Sequence, residues 1–281
     1  MPSSWPGLDG AVVLVTGGSR GVGAGIACSF LRAGATVVTC GRTTPAVPVG
    51  EFLACDVREP DQVAALIGAV VARHGRLDVV VNNAGGAPLA AAADASPRFH
   101  AGVVGLNLLA PLLVAQAAHA VMHDQNGGGV IIMVSSVSGR RPSPGTAAYG
   151  AAKAGLESLT GSLAVEWAPT VRVNALAVGL VRTEQAHLHY GDADGLAAVG
   201  RTVPLGRLAE PEEVGACAVF LASPLASYVT GATLAVHGGG ERPAYLAAAN
   251  AADAEGGSVL KSPTQGAETP DSRGVGPGGT R

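Results

Sequence analysis

Three residues carry chemistry by type and spacing: Ser136, thirteen positions before Tyr149, and Lys153, four positions after it. Residues four apart on a helix share a face, so an ammonium would lie beside a phenol. A phenol loses its proton near pH ~10, and a neighbouring positive charge favours the phenolate, which brings proton exchange toward neutrality. That arrangement suits reduction of a carbonyl or oxidation of an alcohol. Alone, Tyr-x-x-x-Lys is a weak signal, because the same spacing decorates many solvated helix faces.

A second motif lends weight to the first. Thr16-Gly17-Gly18-Ser19-Arg20-Gly21-Val22-Gly23 follows the apolar run Ala11 to Val15 and precedes a helical stretch, Ala24 to Leu31. A strand, a glycine turn and a helix build a dinucleotide site. Glycines let backbone approach a pyrophosphate closely, and the helix N-terminus offers unpaired amides and partial positive charge. The spacing is Gly-x-x-x-Gly-x-Gly and not Gly-x-Gly-x-x-Gly.

With that turn in place, the chain resembles the short-chain dehydrogenases/reductases from about Leu8 to about Gly240. The family pattern is Thr-Gly-x-x-x-Gly-x-Gly with a downstream Ser and Tyr-x-x-x-Lys. Asn82-Asn83-Ala84-Gly85 matches the family's Asn-Asn-Ala-Gly, which supports the sheet and borders the cofactor. Asn107 matches a helical asparagine, Asp56-Val57 the pair that meets the adenine ring, and Gly179-Leu180-Val181-Arg182-Thr183 the segment that grips the nicotinamide carboxamide. The resemblance implies cofactor contacts at Gly17, Ser19, Arg20, Gly21, Val22, Gly23, Arg42, Thr43, Asp56, Val57, Asn83, Ala84, Gly85, Tyr149, Lys153, Gly179, Val181 and Thr183.

The same resemblance assigns roles. Tyr149 is general acid in reduction and general base in oxidation, with Lys153 lowering its pKa and holding the nicotinamide ribose. Ser136 hydrogen-bonds the substrate oxygen, and Asn107 holds a water linking Lys153 to solvent. Hydride belongs to the nicotinamide; the protein supplies position and electrostatics. Ser135 competes with Ser136, but strand alternation puts the two on opposite faces and only Ser136 has the family's spacing to Tyr149.

Alternating elements must position these residues. Strands are expected at Ala11 to Val15, Thr36 to Cys40, Glu51 to Cys55, Leu77 to Val81, Val130 to Ser135, Val171 to Ala177 and Thr233 to Val236. Helices are expected at Pro60 to His74, Phe99 to His123, Ala147 to Trp167 and Pro211 to Leu221. Strands separated by helices of this length predict an α/β fold, a doubly wound parallel Rossmann sheet of about seven strands with helices on both faces. Ligands then sit at the carboxyl ends of the strands, where the glycine turn, Asn83, Ser136 and Val181 fall.

Cofactor choice rests on the end of the second strand. An acidic residue there accepts hydrogen bonds from ribose hydroxyls, whereas a 2'-phosphate needs that charge absent and a cation near. This chain has Gly41-Arg42-Thr43, with neither Asp nor Glu from Ala11 to Val49. Arg20 offers a second cation. NADP(H) is favoured over NAD(H).

Composition bounds the rest. With 281 residues, 48% hydrophobic and 14% charged, the chain can bury a sizeable core, and a single domain over 1–242 is in the ordinary size range. A net charge of −3 without a clustered Lys/Arg face argues against nucleic acid as a partner. Four cysteines without Cys-x-x-Cys spacing read as thiols in a reducing, cytoplasmic compartment, and Met1 to Pro6 does not read as a signal peptide. Phe99 to His123 contains no Asp, Glu, Lys or Arg and is long enough to cross a bilayer. Asn107, Pro111, Gln116 and His119 interrupt it, so a buried helix is the expectation and a membrane is not. In the family this helix also packs against a partner subunit, which predicts a homo-oligomer, dimer or tetramer. Residues 243–281 are rich in Gly, Pro, Ala, Thr and Ser and read as a disordered tail.

Other groups stay open at this point. His119 and His123 are one turn apart, but no glutamate base and no third ligand accompany them, so no metal is expected. His187, His189 and Tyr190 lie within 184–202, where the family places its substrate lid; solvated loop and substrate contact are both open readings. Arg140 and Arg141 would meet an anionic or CoA-linked substrate, or serve as surface charge. Val178 stands where the family has proline, which would loosen the connection to the lid, and His237 stands where it has aspartate. The apolar lid favours a ketone or secondary alcohol of a hydrophobic substrate, while admitting a ketosteroid, a 3-oxoacyl thioester, a cyclic ketone or a sugar-like alcohol. The alternatives are an NAD-dependent hydroxysteroid or 3-hydroxyacyl dehydrogenase and a non-catalytic nucleotide-binding regulator.

Overall fold

Seven short runs rich in Val, Ile and Leu become seven parallel strands, β1 (Val12–Thr16), β2 (Thr36–Gly41), β3 (Glu51–Ala54), β4 (Val79–Asn82), β5 (Gly129–Ser136), β6 (Val171–Val178) and β7 (Thr233–Val236). β-Branched side chains fit a pleated sheet covered on both faces. The computed structural model describes residues 8–241 together with 243 and 244; the expected tail, 243–281, otherwise lies outside them. Strand order is β3-β2-β1-β4-β5-β6-β7. The order reverses between β1 and β4, which opens a crevice at their carboxyl ends.

Because side chains alternate across a strand, each strand feeds two cores. Val12, Leu14, Val80, Ile131, Met133 and Val173 pack toward α2 (Pro60–His74), α4 (Ala110–Asp124) and α5 (Ala147–Trp167). Val13, Val15, Val79, Val81, Ile132 and Leu176 pack on the other face, against α1 (Gly21–Arg32) and α8 (Pro211–Ala222). The doubly wound sheet expected from the sequence is what forms.

Helix ends follow local chemistry. α2 starts with Pro60, carries Asp61 in its first turn and Arg73 and His74 in its last, and stops at Gly75 with φ 76°, a left-handed cap that glycine adopts without strain. Glu210 and Glu213 form a reciprocal capping box at the start of α8, which ties two otherwise unpaired amides. Most strand ends shift by one residue from expectation, and three boundaries differ for a visible reason. α1 begins at Gly21, so the end of the glycine turn is already helix. Leu77 lies outside β4, because the Gln125 side chain takes both its N–H and its C=O. The apolar segment starts earlier, as α3 (Pro97–Val104), and joins α4 through a π turn, Gly105–Leu109.

From Pro97 to Asp124 this helix is long and apolar enough to cross a membrane by length and composition. In the fold, its Val103, Ala110, Val114, Ala118 and Met122 are buried, and the π turn carries Asn107. Two short helices, α6 (His187–Tyr190) and α7 (Ala193–Thr202), make up the segment expected as a lid.

Candidate active site

β5 ends in Ser136 and α5 opens two residues before Tyr149, so the end of the strand delivers the serine and the first two turns of the helix deliver Tyr149 and Lys153. The Lys153 amino group lies 5.6 Å from the Tyr149 ring centroid and donates to the Val134 carbonyl at 2.7 Å. Lys153 is only 3% exposed, and burial draws its ammonium down to about 8. Burial pushes the Tyr149 phenol above its ordinary range; a hydrogen bond with Ser136 draws it back, and nearby Tyr190 raises it again. The expected lowering by Lys153 is therefore not what dominates. The ammonium faces a backbone carbonyl and is itself disfavoured by burial.

Ser135 and Ser136 separate as alternation requires. The buried Ser135 hydroxyl donates to Lys153 O at 3.2 Å and to Glu157 Oε1 at 2.9 Å. Ser136 Oγ accepts from the Ser138 amide at 3.2 Å and stays beside Tyr149.

Asn107 sits in the π turn that joins α3 to α4. Its Oδ1 accepts from the Gly86 amide at 2.8 Å, and its Nδ2 donates to Gly86 O and Val103 O, both at 2.9 Å. Both amide protons are thus committed to backbone, and the side chain is fully buried. These contacts clamp the π turn to the loop after β4. A Cβ on Gly85 would lie 2.6 Å from Asn107 Oδ1 and 3.4 Å from Lys153 Nζ, so Asn107 and Lys153 approach the same glycine.

The glycine turn is packed to backbone contact. A Cβ on Gly23 would lie 2.2 Å from Gly17 O and 2.4 Å from Asn83 Nδ2. Gly17 has φ +63° and Gly21 φ +52°, values that side-chain-bearing residues rarely adopt. Asn83, expected at the cofactor, also braces this turn: its Nδ2 donates to Thr16 O at 2.9 Å and Gly17 O at 3.2 Å. The amide of Gly21 donates to the Glu184 carboxylate, 3.0 and 3.2 Å from its two oxygens.

A cavity of about 900 Å³ joins these parts. Every residue expected at the cofactor lines it, from Arg42, Thr43, Asp56 and Val57 at one end, past Gly17, Ser19, Arg20, Gly21, Val22 and Gly23, to Asn83, Ala84, Gly85, Tyr149, Lys153, Gly179, Val181 and Thr183. Ser136 lines it too, whereas Asn107 does not. A crevice of this size, floored by closely packed glycine backbone, fits a dinucleotide. At the far end Arg58 makes a two-point ion pair with Asp56, and that pairing chiefly holds the Asp56 carboxyl at about 2. Arg20 and Arg42 have no ion-pair partner among the described residues. Arg58 was not among the expected residues; its position two after Asp56 was the available signal.

The lid lines the cavity with both polar and apolar side chains, Ala186 among the latter. It presents Glu184, Gln185, His189 and Tyr190 to the cavity, while Leu188 faces solvent at 66% exposure. Burial raises the Tyr190 phenol, Arg141 lowers it and Glu241 raises it. Glu184 and Gln185 carried no motif, because their approach depends on chain folding back from β6.

The open groups now have places. His119 stacks on Trp167 with centroids 4.4 Å apart, and no cluster of three metal-ligating side chains occurs among the described residues. Arg140 pairs with Glu157 and Arg141 with Glu241, which offsets the charge an anionic substrate would need. Val178 extends β6, paired with Ser136 on one side and Val236 on the other. His237 presses on Gly179, where a Cβ would lie 2.7 Å from His237 Cβ.

Comparisons with known proteins agree with this geometry. Residues 17–241 match the model of a family described as enoyl-(acyl carrier protein) reductase. The chain is 36% identical over 244 residues to D-threitol dehydrogenase of Mycolicibacterium smegmatis, covering 83% of this chain and 93% of that protein. It is 34% identical over 245 residues to human dehydrogenase/reductase SDR family member 4, covering 83% and 88%. Ligand-free aldohexose dehydrogenase of Thermoplasma acidophilum superposes with a TM-score of 0.80 at 31% identity, covering 84% of this chain and 96% of that one.

Proposed function

This chain belongs to the short-chain dehydrogenase/reductase family, and from that premise we propose that it interconverts a ketone and a secondary alcohol with NADP(H), Tyr149 exchanging the proton. It is an oxidoreductase that uses a nicotinamide cofactor. The observation that carries the proposal is that Ser136, Tyr149 and Lys153 share one cavity with the glycine turn. The bound nicotinamide supplies or accepts hydride.

The remaining steps belong to the protein. Ser136 Oγ, beside the phenol, hydrogen-bonds the substrate oxygen and holds it within reach of Tyr149. In reduction Tyr149 gives its proton to that oxygen; in oxidation it takes the alcohol proton. Lys153 supplies positive charge one helical turn away, which favours the phenolate as it forms. Asn107 positions: by clamping Gly86 it holds the adjoining Gly85 against the Lys153 amino group.

Preference for NADP(H) rests on Arg42 at the end of β2 and on Arg20, both exposed cations lining the cavity. A 2'-phosphate would find charge-assisted donors there, whereas Asp56 is occupied by Arg58. For the substrate, the polar lid face of Gln185, His189 and Tyr190 favours a hydroxylated alcohol or sugar over the hydrophobic compound expected from lid composition. Relatives named as D-threitol and aldohexose dehydrogenases support that choice. We also place the protein in the cytoplasm, in keeping with four free cysteines, and expect a dimer or tetramer built on the exposed side of the π turn, α4 and α5, where Leu109 of the turn and Val165 of α5 face outward.

The test is a panel of polyols, aldoses and apolar ketones assayed with both cofactors. Turnover of hydroxylated substrates with a higher kcat/KM for NADP(H) is expected, and Arg42→Asp should lower the NADP(H)/NAD(H) ratio roughly 10- to 100-fold. Preference of the unmodified protein for NAD(H), or turnover of the apolar ketones alone, would reject the corresponding part.

A further inference from the structure

α1 begins without a local cap. Its N-cap residue Arg20 makes no side-chain cap hydrogen bond, and its first turn holds no acidic residue. The Gly21 amide is instead satisfied by Glu184, which lies 163 positions away in sequence and is the first residue of the lid segment. Glu184 has no ion-pair partner among the described residues. Its backbone is tied to the lid helix: the Glu184 carbonyl accepts from His187 Nδ1 at 2.9 Å, and the Ala186 amide donates to Thr183 O at 3.0 Å. One turn further, Tyr190 stands near Tyr149.

We propose that Glu184 is a latch: its carboxylate holds the Gly21 amide until a dinucleotide phosphate displaces it, so that cofactor binding releases the root of the lid. The inference rests on reading the glycine turn as the dinucleotide site. One N–H cannot serve a carboxylate and a phosphate together, and two anions that close at a helix N-terminus repel each other. Displacing Glu184 draws on the affinity of the incoming phosphate and moves the backbone that leads into α6. His189 and Tyr190 therefore change position with cofactor occupancy, and the substrate wall is freed to rearrange only once cofactor is bound.

Glu184→Gln removes the charge at nearly constant shape. Binding of NADPH, ADP and adenosine to the full chain, measured by fluorescence or calorimetric titration, separates the possibilities. The variant should bind NADPH and ADP roughly two- to tenfold more tightly than the unmodified protein, with adenosine, which has no phosphate, unaffected. Hydrogen exchange provides a second readout: amides of residues 184–190 should exchange faster in the unmodified protein when ADP is added, and should already be fast in the variant alone. Unchanged or weaker ADP binding in Glu184→Gln overturns the latch, as does equal tightening for adenosine. Exchange at 184–190 that ignores ADP overturns the coupling to the lid. If the unmodified protein binds neither ADP nor NADPH, the dinucleotide reading falls and the latch with it.

Discussion

Burial holds the Lys153 ammonium at about 8, below the ~10.4 of a free lysine. Below pH 8 the residue is charged in both folded and unfolded chains, and folding bears the whole desolvation cost, of order 3 kcal/mol. Between the two values the unfolded chain binds the extra proton, so stability rises with pH. Lys153→Met lacks this dependence. Urea denaturation at neutral pH and at about pH 10 should show the unmodified protein gaining stability relative to the variant; a pH-independent difference would contradict the buried ammonium. The neutral-pH difference is offset by about 1 kcal/mol, because Val134 O loses its donor in the variant. Tyr149→Phe keeps the ring and removes the proton. It should lower kcat roughly 10²- to 10⁴-fold while leaving the NADPH dissociation constant within a factor of about three; near-native turnover would refute the proton role.

Backbone packs closely on backbone where α1 leaves the glycine turn. Gly23 has no room for a methyl group, since its Cβ would collide with Gly17 O and Asn83 Nδ2. Gly23→Ala should cost about 1–3 kcal/mol in thermal or chemical melts and weaken cofactor binding together with stability. A variant as stable as the unmodified protein would show that the turn can shift. The π turn is the second junction of this kind. Its widened backbone is stabilised by the Asn107 side chain, which donates to Val103 O in the turn before it and ties Gly86 across the loop. Unusual helical turns at functional sites are sustained by such added hydrogen bonds. Asn107 was legible as a site residue from its match to a family motif, yet its hydrogen bonds were not. They depend on a backbone distortion that no local propensity encodes.

Across the whole molecule, the described residues 8–241 form one compact unit, and the cavity, both cores and all seven strands lie within it. A chain ending at Arg242 is therefore expected to keep its kcat and its cofactor affinity. A loss of more than about tenfold in either would assign the remaining segment a part in the site. Much of this molecule is legible in sequence because parallel strands buried on both faces need continuous apolar runs, and such runs are visible one by one. The motifs at their carboxyl ends are local, so their place in the crevice follows once the strand order is known. The 3.6-residue period likewise placed Tyr149 beside Lys153 before any contact was seen. Tertiary structure alone decided the contacts made by atoms from distant segments: the Lys153 amine turned onto Val134, the Asp56 carboxylate taken by Arg58, the lid showing its polar side chains to the cavity. Glu184 reaching Gly21 across 163 positions is the extreme case. Composition and spacing specify which groups each element carries and which face they share, whereas hydrogen-bond partners and desolvation depend on which atoms converge in space.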